Sequence, residues 1–180
     1  EAHELTVTYE YPLLDTGLTD PVAIAQARAQ AFLAGWAPTT SVDQLFENLM
    51  DGDDANNPFV LSVRAREHYD LGHVPGAYNI PWKQIAKLDN LKMLPGDMPI
   101  VVYCYTGHTG QIAATVLAML GYDVTNMKFG MMGWTDDLDV LAGRDRSQRV
   151  LRWYSALSGH HRCPYRGQLA VGHEGRLTGP

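Results

Sequence analysis

Two short runs limit the folds open to this chain more than anything else in it. Residues 59–63 (Phe-Val-Leu-Ser-Val) and Ile100–Tyr103 (Ile-Val-Val-Tyr) are apolar on consecutive positions, and each follows a polar, turn-forming segment. A strand apolar on both faces has to be covered on both, which is the condition of a parallel sheet with helices on either side. Between and after these runs the pattern turns helical. Residues 66–71 read as a short helix, and residues 111–120 as a longer one stopped by Gly121, after which 122–127 returns as a strand. The alternation predicts an α/β class with a small parallel β-sheet flanked by helices.

The N-terminal part adds helices of its own. Residues 4–11 alternate as in a strand that ends at Pro12. Asp20-Pro21 reads as an N-cap and a first-turn proline, opening an Ala-rich helix from Val22 to about Ala34 that Gly35 closes. Residues 37–40 read as a linker. Ser41 caps the next helix, Gln44 completes a capping box, and Val42, Leu45, Phe46 and Leu49 form the buried stripe. The polar turn 51–58 resembles a calcium loop only superficially, because Ser62 stands where the twelfth-position glutamate is required. Three parts result: an N-terminal extension with one helix (1–40), an α/β domain (41–143), and a tail (144–180) in which 146–157 reads as a helix and 160–180 as irregular.

Composition excludes several classes. Charged residues at 19 % and hydrophobic residues at 46 % argue against disorder. No apolar run approaches the length of a membrane-spanning helix. Two cysteines build neither a disulfide scaffold nor a four-cysteine zinc site. From Arg144 onward there are seven arginines, no lysine, and only Asp145 and Glu174 as acids, so a basic tail follows an acidic body within a net charge of −6. The tail is expected to pack on that body; the aromatic-interleaved basic platform of a nucleic-acid arm is missing. His160, His161, Cys163 and His173 are metal-capable, but adjacent histidines diverge, and no metal site is expected. Cys163 is expected to be a free or packing thiol.

The chemistry concentrates in residues 100–112. A cysteine, Cys104, ends a buried strand, and a loop rich in Gly and Thr leads from it into a helix. Loop amides and the helix N-terminus converge on one point in such a unit, which favours a thiolate and an anion above it. Gly107 permits the sharp turn, and Thr106 and Thr109 bring hydroxyls. The plainer reading is a buried cysteine beside an ordinary turn. His108 is read either as steering an anion and exchanging a proton with a leaving thiol, or as pointing to solvent.

The segment Leu61-Ser62-Val63-Arg64 through Glu67 and Tyr69, then Gly72-His73-Val74-Pro75-Gly76-Ala77 and Asn79-Ile80-Pro81, resembles the first motif of rhodanese-homology domains. Residues 104–110, with Leu120-Gly121-Tyr122 and 131–134 downstream, are similar to that family's active-site motif and closing segment. The resemblance implies a five-stranded parallel sheet and a single-domain sulfurtransferase. Cys104 would accept a sulfane sulfur as a persulfide, and Tyr105, Thr106, Gly107, His108, Thr109 and Gly110 would form the substrate cradle. No cofactor is implied. The partners would be a small sulfur donor, such as thiosulfate or a persulfide, and a thiol or cyanide acceptor.

Three departures from the family pattern stand out: Ser62 in place of the usual Asp, Tyr105 in place of the Arg of many thiosulfate enzymes, and Phe129-Gly130-Met131-Met132-Gly133-Trp134 in place of a frequent Gly-Gly pair. Two other functions stay open, a catalytically idle binding or sulfur-carrier module and a cysteine-dependent phosphatase or arsenate reductase. The related phosphatase loop is one residue longer and ends in an arginine, whereas Gly110 stands here and the loop has no arginine. Arg64 and Arg66 are expected to be structural, pairing with Glu67 or Asp70, and His73 is expected to be structural too. The chain begins at Glu1, and residues 37–48 and 103–110 are similar to those of exported single-domain bacterial rhodaneses; export is the expectation.

Overall fold

The computed structural model describes residue 12 and residues 15–35, 39–135 and 137–142. The strand expected over 4–11 and the whole tail from 144, with its helix, its histidines and Cys163, lie outside the described residues. Five strands, β1 (Thr39–Thr40), β2 (Phe59–Ser62), β3 (Tyr78–Asn79), β4 (Ile100–Tyr103) and β5 (Val124–Met127), form one sheet in the order β1-β5-β4-β2-β3. Every pairing is parallel. β4 lies at the centre, with Ile100 opposite Phe59 on one side and Val124 on the other.

All eight residues of β2 and β4 are buried, as their continuous apolar character requires. Side chains alternate along a strand, so β4 serves two cores. Ile100, Val102 and Cys104 pack with Ala113, Ala114 and Leu117 of α5 (His108–Met119). Val101 and Tyr103 face the opposite layer, which holds Val42, Leu45 and Leu49 of α2 (Val42–Met50) together with Met131 and Trp134. Phe46 is half-buried against that layer. The capping box is present: Ser41 Oγ accepts from the Gln44 amide (3.1 Å) and Gln44 Oε1 from the Ser41 amide (3.0 Å).

The N-terminal helix α1 (Pro21–Gly35) buries none of its side chains. It is tied to the domain by Arg28, whose Nε and Nη2 donate to the Met119 and Ala118 carbonyls at 3.0 and 2.9 Å. A cation at those last-turn carbonyls also complements the C-terminal end of the α5 dipole.

Two expectations need correction. Thr39–Thr40 is an edge strand, not linker, paired through Thr39–Asn126 and Thr40–Met127; two residues carry no periodicity to read. Helix α5 starts at His108, three residues before the expected Gln111. Gly107 adopts the left-handed region (φ +99°) and is the N-cap, so the chain turns into the helix sooner, and the His-Thr-Gly first turn lacks the apolar spacing that would reveal it.

The carbonyl end of β4 is closed by the segment leading into α6 (Gly130–Trp134). The Met131 and Met132 amides donate to the Cys104 and Tyr105 carbonyls at 2.7 and 2.8 Å. Gly130 (φ +51°) makes this approach possible, because a Cβ there would lie 2.3 Å from the Cys104 carbonyl oxygen. Gly130→Ala should therefore destabilise the domain by about 1–3 kcal/mol, read as a lower urea midpoint at unchanged slope. An unchanged midpoint would mean that the two segments separate freely.

Candidate active site

Cys104 follows directly from β4, and its residue is 1 % exposed. Its Sγ accepts a hydrogen bond from the Gly107 amide at 3.1 Å, so the turn into α5 puts a donor on the sulfur. The turn is braced from β5: Asn126 Nδ2 donates to the Gly107 carbonyl (3.3 Å) and to Gln111 Oε1 (3.2 Å). Gly110 is buried behind it, where a Cβ would meet Asn126 Oδ1 at 2.4 Å and the Cys104 nitrogen at 3.4 Å. Its lack of a side chain lets the first turn of α5 lie against the sheet.

Above the cysteine opens a cavity of about 460 Å³. From the expected cradle, Tyr105, Thr106, His108 and Thr109 line it beside Cys104. Gly107 contributes its amide to the sulfur, and Gly110 is packing. His108 is exposed, with Nδ1 3.0 Å from Thr106 Oγ1, so its ring is both at the cavity and open to water.

The remaining wall was not anticipated. It consists of Val63, Ala65 and His68, from the chain after β2 and from α3 (Arg66–Asp70), and of Pro81, Trp82, Lys83 and Gln84, from the 3-10 turn Trp82–Gln84 beyond β3. The signal that could have found these residues is topological. In a parallel sheet the C-terminal ends of adjacent strands share one edge, and sites form there. β2 lies beside β4, and β3 beside β2, so the chain leaving each of those strands faces the cysteine.

Tyr105 joins the two walls. Its phenol oxygen accepts the Ala65 amide at 3.2 Å and shares a hydrogen bond with His68 Nδ1. Behind its ring, 5.4 Å from the centroid, lies the guanidinium of Arg64. Arg66 pairs with Asp70 at 2.7 Å, as expected, but among the described residues no carboxylate pairs with Arg64. Arg64 is fully buried. It donates to the carbonyls of Gly72 (2.7 Å), His68 and Val140 (3.4 Å), two of them supplied by the chain at residues 68–72. Burial draws its pKa below the ordinary guanidinium value, while nearby Tyr103, Tyr105, Tyr69 and Cys104 act in the opposite sense. Burial raises the phenols of Tyr103 and Tyr69 above their usual range. His73 is buried, stacked on Tyr69 at 3.9 Å, with Nδ1 3.0 Å from the Tyr69 carbonyl, a packing role as expected.

Among the described residues no group of three or more His, Cys, Asp or Glu is placed to hold a metal ion. Among the same residues no helix is long and apolar enough to cross a membrane.

Residues 41–137 match the Rhodanese-like domain family. The chain is 34 % identical over 88 residues to the adenylyltransferase and sulfurtransferase UBA4 of Meyerozyma guilliermondii, an overlap covering 44 % of this chain and 20 % of that protein. It is 31 % identical over 93 residues to the putative sulfur carrier protein YrkF of Bacillus subtilis, covering 51 % of this chain and 48 % of that one. The chain thus spans about a fifth and about half of these relatives' lengths. A solved rhodanese-like domain protein from Staphylococcus aureus superposes with a TM-score of 0.50 at 25 % identity, covering 56 % of this chain and 93 % of that one. The match begins at the cap of α2 and ends just past α6, the stretch that builds β2 to β5 and the cysteine cavity, and the chain therefore belongs to the rhodanese-like domain family.

Proposed function

We propose that this chain is a sulfurtransferase that carries sulfane sulfur as a persulfide on Cys104. The observation that carries the reading is the Gly107 amide on Sγ at the floor of a cavity. The relatives named as a sulfurtransferase and a sulfur carrier support the same class of chemistry.

In the forward half-reaction the Cys104 thiolate attacks the outer sulfur of the donor. An S–S bond forms to Sγ, the donor's bond to that sulfur breaks, and the leaving group departs with the bonding electron pair. With thiosulfate the products are the Cys104 persulfide and sulfite. The persulfide's terminal sulfur then passes to a thiophilic acceptor such as cyanide or a small thiol, and the thiolate returns. Gly107 and the first turn of α5 supply the amides and the positive helix end that stabilise the added sulfur anion. Thr106 and Thr109 stand at the cavity with hydroxyl groups, and no cofactor is needed for either step.

Phosphate chemistry is poorly supported by the same site. Tyr105, Thr106, Gly107, His108, Thr109 and Gly110 include no arginine, and the guanidinium nearby, Arg64, is buried and committed to backbone carbonyls. A carrier role without turnover is favoured by the name of YrkF, and assays of loading and turnover separate it from catalysis.

Incubation with thiosulfate should add the mass of one sulfur atom to the peptide containing Cys104, and catalytic thiocyanate production should follow when cyanide is present. Cys104→Ser should lose both while keeping the wild-type urea midpoint, since a hydroxyl fits the cradle but forms no persulfide. Retention of turnover in that variant would overturn the assignment; a wild-type persulfide without turnover would favour the carrier. Hydrolysis of aryl phosphates should be negligible beside sulfur transfer to cyanide. A phosphatase rate of the same order, lost in Cys104→Ser, would reverse the ranking of the two chemistries.

A further inference from the structure

Sulfur transfer on Cys104 uses one wall of the cavity and leaves the other without a task. That second wall is the turn Trp82–Gln84, held in place by two backbone bonds: the Trp82 amide to the Val63 carbonyl (3.1 Å) and the Gln84 amide to the Pro81 carbonyl (2.7 Å). Its position relative to the end of β2 is therefore set by the backbone, and its residues line the same cavity as Cys104, Tyr105, Thr106, His108 and Thr109.

The charges lining this space are uneven. The chain carries 20 acidic and 14 basic side chains, yet among the described residues no Asp or Glu lines the cavity, and Lys83 is its one lysine or arginine. Among the same residues Lys83 forms no ion pair, and its ammonium lies 5.7 Å from the centroid of the Trp82 ring. A lysine resting on an aromatic face keeps its donors available to a ligand. Arg64 adds positive potential from behind Tyr105, but its buried guanidinium cannot reach a ligand.

The donor needs such a group. A thiolate attacking thiosulfate brings two anions together, and the bond that breaks leaves its electron pair on sulfite, so negative charge builds on the oxygens farthest from Sγ. The loop places the Gly107 amide on Sγ and has no Lys or Arg to receive those oxygens. The opposite wall has one.

We infer that Lys83 is a specificity-determining residue that binds the anionic, oxygen-bearing leaving group of the sulfur donor, so that thiosulfates and thiosulfonates are favoured over uncharged persulfides. The inference rests on the sulfurtransferase reading for its substrate class, and the test keeps the two apart. Lys83 is exposed, so Lys83→Gln and Lys83→Arg in the full chain leave the core untouched.

Iodoacetate and iodoacetamide alkylate through the same carbon and differ by a carboxylate against a neutral amide. Their rates at Cys104, resolved from Cys163 by peptide mass spectrometry, report anion recognition without any sulfur transfer. Lys83→Gln should lower the iodoacetate-to-iodoacetamide rate ratio roughly two- to fivefold, the range available to a solvent-accessible charge pair. Iodoacetamide alone should react as before, Lys83→Arg should restore the ratio, and persulfide formation from dilute thiosulfate should fall by a similar factor. An unchanged ratio in Lys83→Gln would overturn the inference. A ratio that falls while the wild-type chain takes no sulfur from thiosulfate would support anion binding by Lys83 and count against the sulfurtransferase reading instead.

Discussion

The site depends on how the carbonyl end of β4 is finished. A central strand that ends in solvent would leave its last carbonyls to water and its last side chain free to choose a direction. Here the Cys104 and Tyr105 carbonyls receive the Met131 and Met132 amides, in a contact close enough that only glycine fits at 130. On the other side Gly107 turns the chain directly into α5 and directs its own amide at Sγ. Strand alternation then decides the rest: with Val101 and Tyr103 committed to one core, Cys104 must face the α5 layer. The thiol is thus positioned by backbone hydrogen bonds and by the packing of β4, and little depends on flexible side chains.

A buried cation lies beside this arrangement, and among the described residues no carboxylate pairs with it. Removing a guanidinium from water is costly unless its donors are satisfied, and the two Nη groups of Arg64 offset part of that cost with the carbonyls of His68, Gly72 and Val140. Ser62, fully buried at the end of β2, supplies no counter-charge. The Arg64 guanidinium lies behind the Tyr105 ring, 5.4 Å from the centroid, and brings positive charge to the cysteine's side of the molecule. Taken with a cavity whose described lining is free of carboxylates, it makes this one part of an acidic chain suited to an anion.

The sheet was legible where strands are buried on both faces. The run Ile100–Tyr103 is the observed β4 without adjustment, and the Ser41–Gln44 capping box formed as its sequence signature required. Cys104 and its loop were legible because a strand, a glycine-rich turn and a helix are contiguous in sequence. What was not legible depends on neighbours far along the chain. Thr39–Thr40 is a strand only because β5 offers it an edge. His68, Trp82 and Lys83 reach the cavity because β2 lies beside β4 and β3 beside β2, an order that no local pattern encodes. Arg64 was expected to find an acid and found the carbonyls of His68 and Gly72, four and eight residues on, and of the distant Val140.

The central claim is that Cys104 holds transferable sulfur as a covalent intermediate. The most direct measurement is a chase. The protein is loaded with thiosulfate labelled in its outer sulfur, freed of donor, and then given cyanide. One equivalent of labelled thiocyanate per chain should be released from the isolated persulfide, and none from Cys104→Ser. A loaded protein that carries no label after the donor is removed, or that carries it and yields none to cyanide, would contradict the claim.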